Sequence, residues 1–125
     1  MADAIKTAKA ANRLRADHFI HLRCEVSAPD CGISFERLQA DPLVRLASLM
    51  DHAPNQRQFA SFEAYRIYYQ GKLKMSDAAL AEFSARRIRE SETYSAPHRA
   101  TIAQYCRDNG IVLASHDDAT LGHVD

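Results

Sequence analysis

Three short apolar runs punctuate the chain, and each ends in polar residues able to bind a metal. They are Phe19-Ile20-His21-Leu22-Arg23-Cys24-Glu25, Leu46-Ala47-Ser48-Leu49-Met50-Asp51-His52 and Ile111-Val112-Leu113-Ala114-Ser115-His116-Asp117-Asp118. The first alternates, with Ile20, Leu22, Cys24 and Val26 on one side and Phe19, His21, Arg23, Glu25 and Ser27 on the other. A period of two marks a strand with one apolar face, here spanning Phe19 to Ser27. The second run, Leu43 to Asp51, and the third, from Ile111, are apolar until a serine near their ends and also predict strands.

Helical patterns fill the intervals. Residues 3–17 are rich in Ala, Lys and Arg. Ile33 to Ala40 has Ile33, Phe35 and Leu38 as anchors and Asp41-Pro42 as its stop. Ser76 to Ser91 predicts a helix capped by Ser76, and Pro97 to Asn109 a separate one, with Pro97 in its first turn and Gly110 past its end. Leu121 to Asp125 reads as the first turn of another. Residues 53–75 form an insertion. Its polar loop leads to Phe59, Phe62, Tyr65 and Tyr69, whose three- and four-residue spacing places them on one helix face, with Gly71 suited to the C-terminal cap. Such a stripe either packs on the core or presents a lid or contact surface. The alternation of strands and helices predicts a single α/β unit of parallel strands joined by right-handed crossovers.

Composition narrows the function. Lys plus Arg and Asp plus Glu are 16 each among 125 residues, giving a formal net charge of zero. That argues against nucleic-acid and membrane-surface partners, whose footprint is basic. No stretch approaches the roughly 20 apolar residues of a membrane span. Met1 to Lys9 has no apolar signal core, so a cytoplasmic location is the expectation. Three cysteines with no CxxC fit reduced thiols better than a disulfide framework. Cys24 falls on an apolar face and Cys31 in a loop.

Parallel α/β enzymes gather their chemistry at the C-terminal ends of strands. Glu25, His52 and His116 lie at three such ends, and carboxylate with imidazole is a ligand set for Zn²⁺ or Mn²⁺. A Glu bridging two metals would serve hydroxide chemistry, with Asp117 or Asp118 accepting the proton. Either aspartate would equally orient a ligand histidine or cap a helix. Arg23 and Arg57 carry guanidinium forks suited to phosphate, or to ordinary ion pairs. His18, His98 and His123 read as surface residues, and Arg86, Arg87 and Arg89 as a solvated helix face.

Four of these segments together resemble one family. They are His21 to Glu25, Leu49 to His52 with Gln56 to Phe59, Tyr68 to Lys72, and Ala114 to Thr120. Their order and content are similar to the PhnM family of phosphonate metabolism, within the amidohydrolase superfamily of (β/α)8 barrels. The resemblance runs from about Asp17 to Val124. It implies a partial barrel comprising the fourth to sixth strands, and a hydrolase converting α-D-ribose 1-methylphosphonate 5-triphosphate to the 5-phosphate and diphosphate. It implies two divalent metals, Zn or Mn, with Glu25 bridging and His52 and His116 as ligands, and an insertion that helps hold the substrate. The family also uses a histidine motif on its first strand and an aspartate on its eighth, which have no counterparts here. Three strands cannot close a barrel, so the isolated chain is expected to be inactive and to self-associate through unpaired edges. The alternative is a non-enzymatic α/β or helical module that binds through the aromatic face around residues 59–69.

Overall fold

A computed structural model describes residues 1–56, 61–118 and 122 of the chain. Seven elements follow in order: α1 (Ala2–Ala10), β1 (Ile20–Glu25), α2 (Cys31–Leu38), β2 (Val44–Met50), α3 (Phe62–Leu73), α4 (Asp77–Asn109) and β3 (Val112–Ser115). The strands form one parallel sheet in the order β1-β2-β3. The α/β alternation read from the sequence is therefore present, with α2 and the α3–α4 pair as the two connections. Among the described residues no helix is long and apolar enough to cross a membrane.

The period-two pattern of β1 becomes a two-sided strand. Ile20, Leu22 and Cys24 are buried, while His21 and Arg23 face outward and Glu25 is half-buried. The buried side joins Val26, Val44, Ala47 and Leu49 of the sheet region with Cys31 and Phe35 of α2 and Ile102 and Cys106 of α4. Helices thus cover one face of the sheet. Removing these apolar side chains from water is the main driving force for this half of the molecule. In register, Arg23 lies beside Ser48 and Glu25 beside Met50, while Leu49 lies beside Ser115. The three strand ends are therefore brought to the same edge of the sheet.

Several boundaries differ from the sequence reading. The first helix closes at Ala10 rather than near residue 17, because Asn12 turns the backbone left-handed at φ 52°, a conformation that Asn tolerates better than most residues. Cys31 is not in a loop; it opens α2 and is buried. The helix of the insertion runs through Gly71 and ends at Lys74, whose φ is 52°. Its N-cap is Ser61, whose Oγ accepts from the Ala64 N–H at 3.2 Å.

The largest difference is α4. The sequence reading separates two helices at Pro97, yet 33 residues run as one helix with Pro97 inside. A proline there costs about 3 kcal/mol through its missing N–H and its clash with the preceding turn. Contacts on both sides of Pro97 hold the helix to one line. Before it, Ser91 and Ser95 donate to Asp51 Oδ2 at 2.7 and 2.6 Å. Just after it, His98 Nδ1 donates to the Val26 carbonyl at 2.9 Å. His98 is thus a half-buried fastener and not a surface residue.

A second, smaller core joins α3 to the first turns of α4. Tyr65 and Leu80 are buried there, with Tyr69, Met75 and Phe83 packed against them. The aromatic stripe accordingly turns inward at Tyr65 and Tyr69, while Phe62 and Tyr68 remain exposed. Phe59 lies outside the described residues, as does the helical turn expected after Leu121 apart from Gly122.

Candidate metal centre

The end of β2 shows how the chain sorts two neighbouring polar residues. Side chains alternate across an extended segment, so Asp51 and His52 point to opposite sides. Asp51 turns toward α4 and is 1% exposed. It accepts from the Ser91 and Ser95 hydroxyls and from the Ala53 N–H at 3.0 Å. A buried carboxylate is tolerated when it is hydrogen-bonded in this way. His52 turns to the open side of the sheet, toward Glu25 and β3.

Glu25 meets it there. His52 Nδ1 donates to Glu25 Oε2 at 2.5 Å, and the His52 backbone N–H donates to Oε1 at 3.0 Å. Ser27 Oγ donates to Oε1 at 2.6 Å. Burial pushes the Glu25 carboxyl up, but the hydrogen bonds from His52 and Ser27 outweigh it and hold the pKa below the ordinary value. The same bond from Glu25 raises His52 above its ordinary value, against burial and with help from Asp117. Because the carboxylate takes the Nδ1 proton, Nε2 is the nitrogen directed at β3.

β3 supplies the other half. His116 follows its last residue, and Asp117 adopts φ 57°, a left-handed turn that Asp tolerates with some strain. That turn folds the Asp117 carboxylate back, so His116 Nδ1 donates to Oδ2 at 2.7 Å and His52 Nε2 lies 3.4 Å from the same oxygen. The two imidazoles stand nearly perpendicular, with centroids 6.0 Å apart. Arg23 Nη2 approaches His116 Nε2 at 3.3 Å. A guanidinium only donates, so Nε2 accepts and the His116 proton sits on Nδ1.

One donor atom from each of His52, His116 and Asp117 lies within 4.8 Å of the others. Two imidazoles and a carboxylate at that spacing fit a divalent cation of the Zn²⁺ or Mn²⁺ kind. Of the residues singled out in the sequence, the structure brings together Glu25, His52, His116, Asp117 and Arg23. Asp118 accepts from Ser115 Oγ at 2.6 Å. Arg57 lies outside the described residues.

Arg87 is the participant that sequence reasoning missed. It is not on a solvated face: its side chain is 17% exposed and reaches across from α4 to Glu25 Oε1 at 3.3 Å and Ser27 Oγ at 2.8 Å. The basic run Arg86, Arg87, Arg89 gave no sign of which member turns inward. The α4 positions that the structure buries, Leu80, Ser84, Ser91 and Ser95, recur at three-to-four-residue multiples that place residue 87 on the same face.

Over 124 residues, 99% of the chain, the sequence is 44% identical to the alpha-D-ribose 1-methylphosphonate 5-triphosphate diphosphatase of Escherichia coli (strain K12). The match covers 33% of that protein, so the chain spans about a third of the length of this relative. No family model matches the chain, and no solved structure matches it.

Proposed function

We propose that the chain contributes part of the metal centre of a hydrolase of phosphonate metabolism, one that acts on α-D-ribose 1-methylphosphonate 5-triphosphate and releases diphosphate. The observation that carries this reading is the meeting of His52, His116 and Asp117 beyond two neighbouring parallel strands. It gains weight from the 44% identity to a third of a diphosphatase. In this reading the sheet forms the fourth to sixth strands of a (β/α)8 barrel. The remaining strands and ligands come from the rest of a longer protein or from another chain, and without them the described residues turn over no substrate.

His52 and His116 hold the cation through imidazole nitrogens, and Asp117 through a carboxylate oxygen. A divalent cation there supplies charge neutralisation at a phosphoanhydride oxygen. Glu25 orients His52; as a bridging ligand it would give up its His52 Nδ1 contact for a second cation. Arg23 stands beside His116 as a donor for a phosphate oxygen, with Arg57 of the insertion in a similar role. Asp118 is the nearby carboxylate for accepting a proton.

The test is metal content by mass spectrometry after loading with Zn²⁺ or Mn²⁺, beside a His52→Ala, His116→Ala double variant. Near-stoichiometric metal that the variant loses is the expected result. Metal no higher than in the variant would overturn the reading.

A further inference from the structure

We propose that Cys24 and Cys31 form a site of reversible oxidation, joining as a disulfide when hydrogen peroxide enters the cavity they share. All three cysteines of the chain are free and buried. Cys24 lies on the face of β1 that meets the helices, and Cys31 is the first residue of α2. Two turns fold the chain between them. The Ala28 N–H donates to the Glu25 carbonyl at 3.0 Å, and the Cys31 N–H donates to the Ala28 carbonyl at 3.1 Å. They carry the start of α2 back over the end of β1, where the two thiols meet in a hydrogen bond. Side chains alternate along β1, so Cys24 points away from the side on which Glu25 meets His52. Neither thiol belongs to the proposed metal centre.

The third cysteine marks the limit of the site. Cys106 of α4 is buried in the same core as the other two, near enough for its charge to act on Cys24. Yet among the described residues the three sulfurs do not gather within metal-ligand distance of one another, as the donor atoms of His52, His116 and Asp117 do. A contacting pair with a bystander suits a disulfide rather than a soft metal ion. Access comes from an open cavity of about 200 Å³, lined by Cys24, Cys31, Leu22 and Phe35 together with the exposed Ser34 and Leu38.

The two thiols have distinct parts. Cys31 stands in the first turn of α2, where the helix dipole favours a thiolate, and it accepts from the Cys24 S–H. The Leu22 carbonyl, at 3.7 Å, is the other acceptor within reach of that S–H. The bond from Cys24 holds the Cys31 thiol below its ordinary value, against burial and the nearby Glu25 and Asp30 carboxylates. The Cys31 thiolate attacks one peroxide oxygen. The O–O bond breaks, the other oxygen takes up a proton and leaves as water, and Cys31 becomes a sulfenic acid. The Cys24 sulfur then attacks the Cys31 sulfur. The S–O bond breaks, and hydroxide leaves as water with the Cys24 proton. Two electrons pass from the sulfur pair to the peroxide, and an external dithiol returns them by thiol–disulfide exchange. The ring so closed, from Cys24 to Cys31, contains Glu25 and Ser27, so oxidation stiffens the strand end that supplies Glu25.

The experiment treats the folded full chain with hydrogen peroxide, blocks the remaining thiols with iodoacetamide in urea, and maps tryptic peptides by mass spectrometry without reductant. A chelator is present throughout, so the outcome is independent of the metal centre. Cleavage after Arg23 and Arg37 leaves Cys24 and Cys31 in one peptide and Cys106 in another. The expected result is a 24–37 peptide that is two hydrogens lighter and carries no blocking group, reversed by dithiothreitol, with Cys106 still blocked. The oxidised chain should also unfold at a higher urea midpoint than the reduced one, because a bond that fits the native geometry restricts only the unfolded chain. Cys24→Ser should stop at the sulfenic acid, captured at Cys31 by dimedone; no adduct there overturns the assigned order of attack. If that variant does not fold, the wild-type peptide map and midpoint decide. Blocking groups on both Cys24 and Cys31 after peroxide overturn the site, as does a link from either to Cys106. A midpoint that falls on oxidation overturns it too, since the bond would then need a rearranged fold.

Discussion

The ends of β2 and β3 carry the same two residue types in opposite order, Asp51-His52 and His116-Asp117, and the chain uses them differently. Beyond β2 the aspartate is buried among α4 serines and only the histidine faces the site. Beyond β3 both residues face the site, because the left-handed turn at Asp117 breaks the alternation. One aspartate is a fastener between sheet and helix; the other is a candidate ligand. The identity of a residue does not decide its task here. The side of the strand on which it leaves does.

This contrast can be broken at either end. Asp51→Ala is expected to have the largest effect, since it strands two serine hydroxyls and a backbone N–H in the interior. About 3 kcal/mol of stability should be lost, read by urea unfolding. Asp117→Ala should do the reverse. Stability stays within about 0.5 kcal/mol, as for most exposed positions, while Zn²⁺ affinity by calorimetry falls at least about tenfold. If both variants lose stability alike, the distinction between the two aspartates fails.

Gly110 controls how the chain enters β3. Its φ is 64°, and a Cβ there would meet nothing within 4 Å. Gly110→Ala should therefore cost only the left-handed backbone penalty, about 1 kcal/mol, in thermal unfolding. A larger loss would show that packing at this turn also matters.

The mildest expected change is electrostatic. Glu25→Gln removes the anion that raises His52, so the His52 titration followed by NMR should move down toward 6.5. The sign for stability follows from the pair. The raised His52 contributes fully below 6.5 and loses that contribution as pH climbs through its folded value. The depressed Glu25 contributes above 4.5 and loses it as pH falls through its folded value. The pair thus stabilises most between these limits, and the variant should flatten the pH profile of unfolding there. An unmoved His52 titration would mean that Glu25 does not control it.

Much of the sheet was legible in the sequence, because period-two alternation in β1 and the apolar run of β2 report burial directly, whereas the apolar run of β3 marks a strand whose Val112 and Leu113 stay exposed. The placement of Glu25, His52 and His116 at strand ends came from the same logic. What was not legible depended on partners distant in the chain. Asp51 looked like any strand-end carboxylate until Ser91 and Ser95 were placed over it. Arg87 was hidden in a basic run, since its task depends on Glu25, 62 residues away. Pro97 read as a helix start because local rules say so, and only the flanking contacts of Ser95 and His98 overrode them.

α4 has 33 residues and so extends about 50 Å at 1.5 Å per residue. The longest strand has 7 residues and covers about 23 Å. One stretch of the helix packs on the sheet through Ile102 and Cys106, and the other, around Leu80 and Phe83, packs with α3. Pro97 sits near the junction and contributes no amide proton. In deuterium exchange the helix should therefore divide. Amides around Ile102 and Cys106 exchange only when the whole sheet core opens, whereas those around Leu80 and Ser84 exchange with the α3 hairpin as a separate, shorter-lived unit.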